Sequence, residues 1–194
     1  LYQADQGEPF TYAVGMGLMV AARYYLPLEL LRRICASKGL GEAHFGWPTQ
    51  ATMLLRRNAR WLIQIAIPAI AVVAMVTEYG EARYETSLGR IAYSLALAAY
   101  SLFLFLTMHP SKGVFNEYLS AHAGGWIDRF RYFWYGLFGM APLALLLLSL
   151  MGYHYTSVRL SMHLHTTFIA LCGILLCYSV IRRWLLLRRR QILL

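Results

Sequence analysis

Charge is scarce in this chain. Aspartate and glutamate number nine in 194 residues, and all charged residues together make up 14%, too few to clothe a water-soluble globule of this length. The scarcity of acids also excludes functions: no apolar run carries the row of carboxylates that a proton relay or a cation pathway needs. Cysteines number three. Cys35 follows the first apolar run, while Cys172 and Cys177 lie five apart, about 140° around a helix axis, and do not share a face for a metal or a disulfide. A phosphate-binding glycine loop, a nucleophile elbow and zinc-ligand spacing are all absent. No catalytic, cofactor-binding or metal-ligating set emerges, and the chain does not read as an enzyme.

What is present is apolar. Hydrophobic residues make up 59% of the chain and the mean hydropathy is +0.48. They fall in runs long enough for helices of about 20 residues, the length that crosses about 30 Å of hydrocarbon. The runs predict transmembrane helices over 10–31, 59–78, 88–108, 133–153 and 162–181, and no strand. Polar or turn-forming sequence closes the second and third, Glu78-Tyr79-Gly80-Glu81 and His109-Pro110-Ser111-Lys112-Gly113. The expected fold is an all-α membrane protein, a single bundle of about five transmembrane helices.

Basic residues orient the bundle. The segments 32–58, 109–132 and 182–194, with Arg60 just past the first of them, hold fourteen of the 18 Lys and Arg, among them Arg32, Arg33, Arg56, Arg57, Arg182 and Arg183. The other side has Arg83, Arg90 and Arg159, together with Asp5, Glu8, Glu78, Glu81 and Glu85. By the positive-inside rule the first two segments are cytoplasmic loops and the third a basic cytoplasmic tail, with the N-terminus outside. A net charge of +9 therefore points to lipid headgroups rather than to nucleic acid. Trp47, Trp61, Trp126, Tyr132, Trp134, Tyr153, Tyr155 and Trp184 cluster near predicted boundaries, where amphipathic rings anchor helices in depth.

Two charges lie inside the first run. Arg23 sits about 20 Å beyond Phe10 and can snorkel toward the cytoplasmic headgroups. Glu29 precedes Arg33 by four residues, the favourable order for a helical ion pair. His154, His163 and His165 gather toward the outer surface; 163 and 165 fall on different faces, so interfacial histidines are a plainer reading than a metal site. Pro68 and Pro142 lie within spans and remove backbone hydrogen bonds, making them candidate kinks. Ala13 with Gly17, Ala92 with Ala96, and Gly136 with Gly139 are small-residue pairs suited to close helix packing. Residues 43–49 read as a compact aromatic turn, followed from Thr49 by a helix feeding the second span; 113–128 reads as a surface loop. The chain opens without Met, shows no signal peptide and breaks off in an amphipathic stretch, as a piece of a longer protein would.

Several segments resemble a known family: Leu1-Tyr2-Gln3-Ala4, Ala43-His44-Phe45-Gly46-Trp47-Pro48, Leu88-Gly89-Arg90, Ala141-Pro142-Leu143, Gly152-Tyr153, and Ile181-Arg182-Arg183-Trp184 running into Arg188-Arg189-Arg190. Together they are similar to the long inner-membrane members of the small-conductance mechanosensitive channel (MscS) family, closer to the MscM than to the MscK type. The likeness covers essentially the whole chain and is scattered rather than one sharp motif. It implies a multi-pass protein of the bacterial inner membrane, assembled as a homoheptamer, that opens under hypoosmotic shock to release ions and small osmolytes. The family's Gly/Ala-rich pore helix and β-containing vestibule have no counterpart here, so the resemblance makes this chain a group of peripheral, lipid-facing, tension-sensing helices with the pore elsewhere. A secondary transporter, which would show repeated halves with broken helices, and a non-catalytic assembly subunit are the rival readings.

Overall fold

The computed structural model describes residues 7–192 apart from 44, 115, 117–124 and 126–128. Its order is α1 (Gly7–Ile34), a short α2 (Leu40–Ala43), α3 (Thr49–Tyr79), a single turn α4 (Ala82–Tyr84) running into a π-helical turn (Glu85–Gly89), α5 (Arg90–Thr107), α6 (Arg131–Leu150) and α7 (His154–Ile192). No strand occurs among the described residues. Five helices are long and apolar enough to cross a bilayer, at Phe10–Ile34, Thr49–Tyr79, Ser87–Thr107, Arg131–Leu150 and His154–Tyr178. The all-α, five-span architecture expected from the apolar runs is the one observed. In hydrocarbon every backbone N–H and C=O must be satisfied within the segment, so an apolar run of this length has little alternative to a helix.

The helices outrun the apolar runs. α3 begins ten residues before position 59, directly after Pro48, whose backbone is extended (φ −57°, ψ 134°). α7 begins eight residues before 162 and continues eleven past 181. Hydropathy marks the apolar part of a helix. The helix itself ends only where its hydrogen bonding does, and the Arg, Leu and Gln that flank these runs are good helix formers. At the far end of α3 the stop is explicit: Gly80 takes the left-handed conformation (φ 75°) and its N–H returns to the Val76 carbonyl.

Successive long helices pack antiparallel, up and down, so that Arg32 and Arg33 at the end of α1, Arg56 and Arg57 near the start of α3 and Arg131 at the start of α6 fall at one end of the bundle. Near this basic end a core forms between α1, α3 and α5 from Leu28, Ala59, Leu62, Ala66, Ala99 and Phe103. Toward the opposite end Tyr93, Leu97 and Leu145 pack with Val73, Leu146 and Val158, joining α3, α5, α6 and α7. Small residues set the spacing. A Cβ on Gly17 would come within 2.9 Å of the Ala71 carbonyl oxygen, and one on Gly139 would run into the Phe105 ring. The small pairs therefore divide: Gly17 and Gly139 sit at close helix approaches, whereas Gly136 has nothing near it.

Within the most apolar window of each span, 44% of the residues are buried at Ser87–Thr107 and none at His154–Tyr178. α5 is thus the central helix and α7 the outermost. α7 turns a half-buried stripe of Val158, Ser161, His165, Ile169, Cys172 and Leu176 toward the bundle. Leu160, Leu164, Phe168, Leu171, Ile174 and Tyr178 point outward, an apolar stripe at helical spacing.

Candidate functional site

Polar groups in this apolar bundle collect at three depths, and each answers a physical demand of the helices that carry it. The deepest lies near the middle of α1. Arg23 is thirteen residues from Phe10 and eleven from Ile34, so it sits close to the midpoint of the first span, on the helix surface and exposed. It borders a crevice of about 300 Å³ lined by Arg23, Leu26 and Pro27 of α1 and by Thr166 and Ile169 of α7. Beside it the Tyr24 ring stacks on the His165 imidazole, centroids 4.0 Å apart, and Tyr100 of α5 meets the same imidazole edge-on at 6.3 Å. This contact brings α7 back against α1. The Tyr100 hydroxyl and His165 Nε2 are buried without a hydrogen-bond partner, an arrangement that costs about 1–3 kcal/mol per group.

Glu29, six residues further on, is fully occupied. Its carboxylate takes both Arg32 Nε and Nη2 at 2.6 Å, a bidentate pair, and Arg33 Nε at 2.7 Å. The spacing to Arg33 was legible in the sequence; the closer pair with Arg32, three residues away, was not singled out. Arg23 has no ion pair among the described residues, although a charged side chain at the middle of a span costs about 2.5–3.5 kcal/mol on insertion.

At the end opposite the arginines, a chain of hydroxyls binds three helices. Ser157 Oγ donates to the Leu145 carbonyl at 2.7 Å, so Tyr93 is left to donate to Ser157 at 2.9 Å. Ser149 Oγ pairs with His154 Nδ1 at 2.8 Å, and the His154 ring meets Tyr93 edge-on. Ser149 and Ser157 are both completely buried. The three histidines are dispersed: His154 is in this network, His165 lies against Tyr24, and His163 is exposed. Among the described residues, no three His, Cys, Asp or Glu side chains converge where a metal could sit.

The basic end carries a folded connector. Lys38 adopts a positive φ of 57° and Gly46 one of 64°, turning the chain so that Phe45 stacks on Trp47 at 5.6 Å. The Trp47 N–H donates to the Gly41 carbonyl. Glu42 ties the turn to α3 by accepting from Thr52 Oγ1 at 2.9 Å and from the Lys38 N–H at 3.0 Å. Cys35 lies underneath, 2% exposed, its thiol pushed up to about 11 by burial and then by the Glu42 carboxylate. Deeper in, Asn58 is buried, donating to Thr107 Oγ1 and accepting from Trp61 Nε1.

Of the remaining sequence candidates, Arg56 is half-buried and Arg57 exposed on α3. Arg182, Arg183 and Trp184 lie on the helical continuation of α7, with Trp184 exposed. Trp126 lies outside the described residues, as does most of 113–128. Pro68 and Pro142 sit inside unbroken helices. Sequence reasoning passed over a third such proline, Pro27 in α1. Its signal was present in Tyr24-Tyr25-Leu26-Pro27-Leu28, where a ring that offers no N–H follows Arg23 by one helical turn.

A bundle of lipid-length helices, anchored by arginines at one end and devoid of a catalytic constellation among its described residues, is matched over residues 1–194 by the family described as mechanosensitive ion channel inner membrane domain 1. The chain belongs to this family. It is also similar to the miniconductance mechanosensitive channel MscM of Escherichia coli (strain K12), with 30% identity over 98% of this chain and 17% of that protein. The chain therefore spans about a sixth of the length of that relative. No solved structure matches it. Membership favours the channel reading over the transporter considered from the sequence.

Proposed function

We propose that these helices form the peripheral, lipid-facing part of a mechanosensitive channel and pass membrane tension to a pore built elsewhere in the protein. The observation that carries the reading is the exposed apolar surface of α7, whose most apolar stretch has no residue buried against the bundle among the described residues. A helix held along one stripe and bathed in lipid on the other follows changes in bilayer thickness and area, because hydrophobic mismatch is relieved by tilting. Tension favours whichever conformation occupies more area in the membrane plane, so a lipid-coupled helix biases a two-state equilibrium.

In this reading the basic end faces the cytoplasm, the opposite end is periplasmic, and the protein resides in the bacterial inner membrane. It assembles with copies of itself, a homoheptamer by the family resemblance, and ions and small osmolytes pass through the shared pore. The positive-inside distribution of arginines supports the orientation. The prolines give the helices their pliability: at Pro68 and Pro142 one hydrogen bond is missing in the middle of a span. Patch recordings of the full-length protein carrying Pro68→Ala or Pro142→Ala should show opening at higher tension, and an unchanged threshold in both would sink the idea.

A further inference from the structure

We propose that the crevice between α1 and α7 receives a carboxylate side chain from a transmembrane helix outside this segment, which pairs with Arg23. Three observations carry it. Arg23 is an exposed guanidinium near the midpoint of a membrane span, the position where an unpaired charge is least tolerated and where intramembrane charges pair with one another. It has no ion pair among the described residues, and nearby Glu29 is already held by Arg32 and Arg33. Finally, the guanidinium opens onto a cavity of about 300 Å³, room enough for an incoming side chain.

The walls define the occupant. Leu26, Pro27 and Ile169 present apolar surface suited to the body of a helix. Thr166 Oγ1 spends its hydrogen on the Met162 carbonyl at 2.9 Å, which leaves Arg23 as the donor in the crevice for an anion. Depth selects the source. Arg23 is about 12 Å from Leu31, where the apolar run ends, and lipid phosphates lie beyond that edge. A carboxylate on a neighbouring span reaches that depth without deforming the bilayer. The related channel is about six times the length of this chain, and a protein of that size has length for a further span to supply it. The proposal requires that α1 and α7 span the membrane and is independent of their role in sensing tension.

The test uses the full-length protein in its native membrane with a photoreactive diazirine residue at Leu26, after checking that the channel still inserts. Mass spectrometry should find a cross-link to an apolar span containing Asp or Glu. The yield should fall by at least about tenfold in Arg23→Gln, as loss of one desolvated charge partner implies, and persist in Arg23→Lys. Cross-links to lipid alone, to a span without a carboxylate, to nothing, or at a yield indifferent to Arg23→Gln would overturn it. Failure of this pairing would leave the tension thresholds of the proline variants unaffected, so the two readings fail separately.

Discussion

Single residues report how differently burial treats similar groups. Cys35 is buried beneath the connector and its thiol is pushed up to about 11, whereas Cys177 is uncovered by the bundle but lies within the apolar span of α7. Because the thiolate is the reactive form, maleimide should modify Cys35 far more slowly in the folded protein than in the unfolded one at pH 7–8. The Cys35 rate should keep climbing as pH approaches about 11. The sign for stability follows: the folded state holds this proton longer than the unfolded one, so the contribution is unchanged below about 9 and is lost as pH rises toward 11. Peptide mapping of the labelled protein against pH, folded and unfolded, checks the Cys35 rate. The Tyr93–Ser157 bond is a second residue-scale test. Tyr93→Phe should cost about 0.5–1 kcal/mol, and Ser157→Ala more, since that hydroxyl also serves Leu145; thermal unfolding of the full-length protein in detergent measures both. Neither contact was legible in the sequence, because Tyr93 and Ser157 are 64 positions apart and only the packing of α5 against α7 brings them together. The Glu29–Arg33 pair was legible, because local helical geometry fixes it.

At the scale of elements, composition revealed that five apolar helices are present and concealed where each one ends. The five apolar runs are all helices, but α3 and α7 continue through arginine-rich sequence that hydropathy excludes. Close approaches were half legible: small residues mark candidates, and the fold selects among them. Gly17→Ala places a Cβ 2.9 Å from the Ala71 carbonyl oxygen, and separating α1 from α3 should cost about 1–3 kcal/mol. Gly136→Ala meets nothing and should be neutral or gain up to about 1 kcal/mol from helix propensity. Equal losses at both positions would refute the distinction, again by thermal unfolding.

For the whole molecule, the sign of the charge imbalance predicts which end faces which compartment. Gln50→Cys, in the first turn of α3 at the basic end, should resist a membrane-impermeant thiol reagent until the inner membrane is opened, and Glu81→Cys at the other end should react in cells with only the outer membrane permeabilised; the reverse pattern would invert the topology. The crevice at Arg23 was invisible at this scale from sequence, because its two walls are separated by more than a hundred residues. Finally, α7 is a single helix of 39 residues, about 58 Å long, against about 30 Å of hydrocarbon. Roughly half of it therefore projects beyond the bilayer as a stiff rod. A tilt of only about 10° in the embedded half would swing the far tip by about 5 Å, so a small reorientation in lipid becomes a displacement large enough to push on whatever meets that tip.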